Sequence, residues 1–274
     1  MKLKAILKPI LTDSELALLV QSYDVVGDIA VIIVPETLIH RESAIGTAIL
    51  NSHPNIKVVA KRAGQYSGSY RTIPLQVIAG ETRLETIHTE YSLRFKINLE
   101  TVYFSVRSST ERKRIADLVK RDEQVLVMFS GIAPYPLYIA RFSYAVAITG
   151  IEINDTAHRY GLENVRINKL SEKISLHLGD VSEVLPQLRN RFDRIVMPLP
   201  KTGLRYVEHA LDHLNHGGVI HHYVMQQPET VEQAVAEFMH RCARAERNVS
   251  KWDLKVCGHT GPNTYRYCID AHIE

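Results

Sequence analysis

Only three cysteines, Cys242, Cys257 and Cys268, occur among 274 residues. Odd in number and widely spaced, they support neither a disulfide framework nor a CxxC metal site, and buried free thiols are the expectation. No apolar run approaches the roughly eighteen residues that a membrane-spanning helix needs. The opening MKLKAILKPILTDSE turns acidic too soon for a secretory signal. Internal repeats and low-complexity tracts are also missing. What these exclusions leave is a soluble, cytoplasmic chain, expected to be a monomer with no membrane or metal partner. At 45% hydrophobic and 23% charged residues it can build one large or two moderate domains.

A net charge of +3 decides little by itself. Its distribution says more, because in RSSTERKRIADLVKR (107–121) lysine and arginine far outnumber the acids Glu111 and Asp117. That stretch is either a solvated helix face or a surface that meets a polyanion.

Two rhythms divide the chain. From Val26 to about Glu90, short apolar segments (28–34, 56–62 and 74–80) surround one helical pattern near 41–52, which predicts a small α+β module. From Leu126 onward the pattern alternates strand, turn and helix. Candidate strands fall at 125–129, 145–153, 174–178, 194–197 and 218–224, with a closing hairpin at 251–257 and 264–273. Such alternation predicts an α/β fold with a doubly wound, mainly parallel sheet. The expected boundaries are a stub or short helix over 1–16, the module over 17–90 and the larger domain over 91–274.

Chemistry-bearing residues gather at the predicted strand ends, where doubly wound sheets bind ligands. Phe129 and Gly131 open the turn FSGIAPY after the first strand of the larger domain, and a glycine there lets backbone approach a ligand closely. Glu152 ends the next strand, followed by Ile153, in the place where an acid can accept both hydroxyls of a ribose. Asp180 follows the third, where it could take an adenine amine while Val181 packs on the ring. Each acid alone could equally cap the following helix. The fourth strand opens onto Pro198-Leu199-Pro200 in RIVMPLP (194–200). Together these features suggest a nucleoside site of the kind found in S-adenosylmethionine methyltransferases.

Upstream, VYFSVRSSTERKRIA (102–116) places Tyr103, Arg107 and Glu111 four residues apart. It is followed in order by VMFSGIAPY, GIEIN, LGDVSEV, RIVMPLP and GGVIHHY, and preceded by HPNIKVVAKRAGQYSGSYR (53–71). This series resembles the archaeal and eukaryotic tRNA (guanine-N1)-methyltransferases, which modify the guanosine beside the anticodon at tRNA position 37. The resemblance runs from about Ser22 to the end. It implies a Rossmann-like class I methyltransferase fold, S-adenosyl-L-methionine as cofactor and tRNA as partner. It also implies Glu111 as general base, Arg71 as the arginine near the target base, Tyr103 and Arg107 as pocket residues around the cofactor, and Leu199 in the loop facing the target.

Three positions depart from the family pattern. Pro198 stands where the family has an asparagine, Val127 where an aspartate ends the first strand, and Ala133 where the turn has a glycine. Proline supplies neither a side-chain amide nor a backbone N–H. The related wybutosine-pathway enzymes, which move an aminocarboxypropyl group, resemble the chain in outline, but its TER (110–112) and LPK (199–201) elements match the methyltransferases better. A non-enzymatic alternative is a tRNA-binding homologue with a weakened cofactor site.

Overall fold

A computed structural model describes residues 3–68 and 70–274, which divide into two compact units, one ending at Val106 and the other spanning Arg107–Glu274. The expected boundary at 90/91 falls inside a hairpin that pairs strand Glu85–Glu90 with Leu93–Asn98, so the whole hairpin stays with the N-terminal unit. Its turn, Tyr91-Ser92, has both residues at positive φ (49° and 62°). No glycine or asparagine marks it in the sequence, so no local turn signal predicts the hairpin.

The N-terminal unit begins with α1 (Leu3–Leu7) and α2 (Asp13–Leu18). Thr12 caps α2 in a capping box with Glu15: the Glu15 N–H donates to the Thr12 hydroxyl, and the Thr12 N–H to the Glu15 carboxylate. Of the expected stub or short helix, the described residues form short helices, and Leu3, Ile6, Leu7, Leu11 and Leu16 are buried in the unit's core. That core is completed by β1 (Asp24–Val26), β2 (Ile29–Ile32), α3 (Glu42–Ser52), β3 (Val58–Arg62) and β4 (Leu75–Gly80). The four strands form one mixed sheet in chain order, with β2 and β3 parallel. The hairpin supplies β5 (Glu85–Glu90) and β6 (Leu93–Asn98), whose Leu93, Phe95 and Ile97 are buried at the period of two that a half-buried strand requires.

The C-terminal unit runs through α4 (Ser109–Leu118), β7 (Gln124–Met128), α5 (Pro134–Phe142), β8 (Ala147–Glu152), α6 (Asp155–Ile167) and β9 (Ile174–Leu178). It continues with α7 (Val181–Val184), β10 (Phe192–Met197), α8 (Val207–Asp212), β11 (Leu214–Gln226), α9 (Val231–Arg244), β12 (Val249–Gly261) and β13 (Thr264–Ile273). The strands form one sheet in the order β12-β13-β11-β10-β7-β8-β9. Strands β11 to β9 are parallel and the closing hairpin adds two antiparallel strands at one edge. Val125, Leu126, Val127 and Met128 are all buried, as a strand covered on both faces demands. The chain leaves β7 in one direction through β8 and β9, then returns to the other side for β10 and β11. The β7 and β10 loops therefore diverge at the switch point, which opens a crevice at the carboxyl ends of the strands.

Candidate active site

Four loops meet at that crevice. The Ser130 N–H donates to the Ile151 carbonyl (2.8 Å) and the Gly179 N–H to the Glu152 carbonyl (2.9 Å), which ties the ends of β7 and β9 to β8. Phe129, Gly131 and Ala133 all take positive φ (58°, 56° and 68°) within five residues. Two of these are not glycine, and left-handed backbone costs an L-residue about 1 kcal/mol or more. Strain of this kind is kept where the surrounding structure imposes it, often at ligand clamps. The Asn164 amide, fully buried, anchors the turn by donating to the Ile132 carbonyl at 3.1 Å. Ala133, where the family has glycine, thus sits in the conformation that glycine adopts at least cost. A Cβ placed on Gly131 would enter space empty to 4 Å, so the crevice opens beside this residue.

Glu152 lies directly against the turn. Its carboxylate accepts the Gly131 N–H at 2.7 Å and the Asn154 N–H at 2.8 Å, one on each oxygen. Burial pushes its carboxyl above the ordinary range, although the amides of Asn154, Gly131 and Ile153 favour the charged form. Two to three amides do not exhaust the four lone-pair positions of a carboxylate, and the remainder can accept a ligand hydroxyl. Ile153 beside it is 45% exposed, an apolar surface at the mouth of the site. Asp180 caps α7 through the Ser182 N–H (2.8 Å), and its second oxygen accepts the Tyr206 hydroxyl at 3.3 Å. Burial raises the Asp180 carboxyl, but the Ser182 and Tyr206 hydrogen bonds outweigh it and hold the group below its usual range. Tyr206 also packs edge-on against Phe129 at 5.0 Å and links the loops of β7, β9 and β10. Val181 departs from expectation: it is only 2% exposed and belongs to the core, so its side chain offers little surface to a ligand.

The β10 loop turns tightly. The Leu199 N–H donates to the Met197 carbonyl (2.9 Å), a three-residue turn centred on Pro198, and the Gly203 N–H to the Leu199 carbonyl (2.9 Å). Proline's fixed φ suits the centre of such a turn. Pro198 and Leu199 are half-buried. Val127 is fully buried in the sheet between Gly150 and Val196, so its position has no access to solvent.

Glu111 is 6% exposed on α4. Arg114 grips its carboxylate with Nε on Oε2 (2.7 Å) and Nη2 on Oε1 (2.8 Å), and the Tyr223 hydroxyl donates to Oε1 at 2.5 Å. The fork fixes the carboxylate plane and, among the described residues, leaves Oε2 with an unused lone pair. The surrounding basic stretch is consequently not one solvated face. Arg112 is 3% exposed and Arg114 is engaged with acids, while Arg107, Lys120 and Arg121 reach solvent.

In the N-terminal unit, Arg71 takes a left-handed φ of 52° in the turn between Ser67 and Thr72 and holds its guanidinium 4.8 Å over the Tyr103 ring. Tyr66 meets Tyr103 edge-on at 5.8 Å, with Arg62 5.9 Å over Tyr66. Within its unit, Tyr103 thus associates with Arg71 and Tyr66. Sequence reasoning missed Tyr66, Arg114, Tyr206, Tyr223 and Asp270. An aspartate inside the apolar strand CIDAHI was the one visible signal.

Comparison with known proteins fits this geometry. The model of the TRM5/TYW2 methyltransferase domain matches residues 86–250, and that of the TYW2 N-terminal domain matches residues 3–83. The chain belongs to the TRM5/TYW2 methyltransferase family. It is 39% identical over 202 residues to the tRNA (guanine(37)-N(1))-methyltransferase Trm5b of Pyrococcus abyssi, a match covering 74% of this chain and 59% of that protein. It is 30% identical over 302 residues to the tRNA (guanine(37)-N(1))/4-demethylwyosine(37)-methyltransferase Taw22 of Nanoarchaeum equitans, covering 92% of this chain and 99% of the relative. The complex of aTrm5 with tRNALeu superposes with a TM-score of 0.85 at 29% identity, covering 98% of this chain and 77% of the other. Among the described residues no helix is long and apolar enough to cross a membrane.

Proposed function

We propose that this family member transfers a methyl group from S-adenosylmethionine to N1 of guanosine at tRNA position 37. The observation that carries the reading is the buried Glu111 carboxylate, oriented by the Arg114 fork with one Oε2 lone pair unused. Guanine N1 holds a proton at neutral pH, so a base must remove it, and negative charge then grows on O6. Glu111 takes the N1 proton, freeing the nitrogen lone pair for attack, and Arg71 supplies the cation for O6. When bound, S-adenosylmethionine supplies a methyl group activated by its sulfonium. Glu152 would hold the ribose hydroxyls, Asp180 the adenine amine, and Ile153 and Leu199 the apolar edges. Tyr103 and Arg107 remain proposed pocket residues.

Incubation with S-adenosylmethionine and tRNA transcripts carrying each base at position 37, followed by nucleoside mass spectrometry, tests the proposal. A methylated guanosine confined to the guanosine-37 transcript is the expected product. Recovery of an aminocarboxypropyl adduct, or of no modified nucleoside, would reject it. A second reading, methylation of a tricyclic 4-demethylwyosine-type base, is favoured by Pro198, which offers no amide to guanine, and by the end-to-end match with Taw22. The same assay on tRNA bearing that base separates the two.

Glu152→Ala should weaken S-adenosylmethionine binding by about tenfold in calorimetry, since one or two charge-assisted hydrogen bonds to the ribose are lost. Wild-type affinity should also fall on acidification. Because burial raises the Glu152 carboxyl, that loss begins at a higher pH than for an ordinary carboxylate. An alanine variant that binds as tightly as wild type would remove Glu152 from the site. Binding to tRNA should weaken by roughly tenfold or more between about 0.05 and 0.2 M KCl, the slope that two or more phosphate contacts produce. A flat salt dependence would exclude RNA as the partner.

A further inference from the structure

The far side of Arg114 is as occupied as the near side. Its Nη1 donates to Asp270 Oδ2 (2.5 Å) and its Nη2 reaches Asp270 Oδ1 (3.3 Å), while its Nε and Nη2 hold Glu111. One guanidinium therefore bridges two carboxylates from α4 and β13, segments 156 residues apart in sequence. We propose that Asp270 is a positioning residue for Glu111: it anchors Arg114 so that the Glu111 carboxylate is fixed in direction, and it shares the guanidinium charge with that carboxylate. The inference rests on Glu111 being the base that removes the substrate proton.

The bond order behind Asp270 can be read from donor chemistry. Arg194 is buried on β10 and grips Glu123 with Nε (2.7 Å) and Nη2 (3.0 Å); its Nη1 lies 2.6 Å from Nε2 of His221. A guanidinium can only donate, so Nε2 accepts and the His221 proton resides on Nδ1. From there it is donated to Asp270 Oδ1 at 2.5 Å. His221 is thus a neutral imidazole in one tautomer, and burial pushes it away from the charged form. The Cys268 thiol donates to the same Asp270 oxygen at 3.1 Å, and burial keeps it protonated. Beyond Glu111 the chain continues through the Tyr223 hydroxyl to that of Tyr135, 3.0 Å away. A continuous relay therefore links the buried Glu123, Arg194 and His221, through the partly buried Asp270 and Arg114, to the buried Glu111, Tyr223 and Tyr135.

The charge count supplies the reason for Asp270. Along the relay, the carboxylates of Glu123, Asp270 and Glu111 face the guanidiniums of Arg194 and Arg114, three negative charges against two positive. Remove the Asp270 charge and Arg114 serves Glu111 alone, an arrangement that favours the carboxylate and weakens it as a base. Other charged or titratable groups face the same region: Arg112 on α4, Arg266 on β13 and Cys257 on β12, which act on Tyr135 or Tyr223. Their charges stay in place when Asp270 is altered. His221, Cys268 and Asp270 do bring three donor atoms within 4.8 Å of one another. With both His221 nitrogens and both Asp270 oxygens already bonded, and two guanidiniums alongside, that cluster is a hydrogen-bond relay.

The test is the pH dependence of single-turnover methyl transfer to guanosine-37 tRNA, at saturating cofactor, for wild type and five variants. Asp270→Asn should move the acidic limb down by about one pH unit and lower the plateau roughly tenfold. Asp270→Glu, which restores the charge, should return the limb to its wild-type position. Tyr223→Phe removes a donor from Oε1, so its limb should move in the opposite direction, upward. Asp270→Ser serves as a smaller neutral variant should the asparagine protein not fold, and thermal melts with calorimetric cofactor binding verify folding of each. A merely structural role would reduce yield or rate with the limb in place. A limb that stays put in both neutral Asp270 variants, while Glu111→Gln is inactive, overturns this inference and leaves the reading of Glu111 standing. A Glu111→Gln variant as active as wild type overturns both.

Discussion

Glu111→Gln is expected to lower the rate of methyl transfer by about a hundredfold or more, the usual scale for loss of a positioned general base. Glutamine matches glutamate in size, so the packing of α4 is retained, but an amide can accept at one atom only. The Arg114 fork then faces one oxygen and one NH2 group, and a donor is left without an acceptor. That mismatch costs on the order of 1–3 kcal/mol locally. It should appear as a lower Tm and is separable from chemistry by single-turnover rates measured well below the melt. Cofactor affinity should stay within about twofold, because the carboxylate proposed to hold the ribose, Glu152, is bound to Gly131 and Asn154 and not to Glu111. A variant that keeps more than about a tenth of the wild-type rate would move the proton-accepting role to another group or to solvent. A lost rate accompanied by lost cofactor binding would instead point to a collapsed pocket.

The parts of the fold legible in the sequence were those written in local pattern. Strands β7, β8 and β10 are short apolar runs buried over most of their length, and the expected positions of β7 to β11 differ from the observed ones mainly at the ends. The family motifs are local as well, which is why Glu152, Asp180 and Gly131 could be placed at strand ends before any coordinates. Two things were not local. The β5–β6 hairpin turns on Tyr91-Ser92, where positive φ is imposed by strand pairing and leaves no compositional mark. The relay behind Glu111 draws Arg114, Asp270, Tyr223 and Arg194 from four elements, and only the sheet order, which sets β13 against β11, brings them together. The basic stretch 107–121 illustrates the same limit. Its composition left open a solvated helix face or a surface for a polyanion, yet Arg112 is buried and Arg114 is held by Glu111 and Asp270.

Replacing Pro198 with asparagine should raise the single-turnover rate on guanosine-37 tRNA by about tenfold to a thousandfold, the range that one preorganised hydrogen bond at the transition state supplies. The backbone can accept the change. Pro198 is the centre of a turn closed by the hydrogen bond from the Leu199 N–H to the Met197 carbonyl, and that bond uses no atom of its side chain. Pro198 is half-buried, so the larger polar side chain does not have to enter the core. Val127 sets a limit on how far the family pattern can be restored. The site is fully buried between Gly150 and Val196, and an aspartate there places a carboxylate in the sheet. Without a cationic partner that burial is costly, so Val127→Asp should melt several degrees below wild type in the absence of cofactor. A larger rise in Tm on adding S-adenosylmethionine than wild type shows would indicate that the ligand's ammonium supplies the partner. The two changes must therefore be compared singly and together, with each melt measured. A wild type faster than every restored variant on guanosine, combined with efficient methylation of a tricyclic base, would make Pro198 the residue that shapes the pocket for a substrate needing no amide.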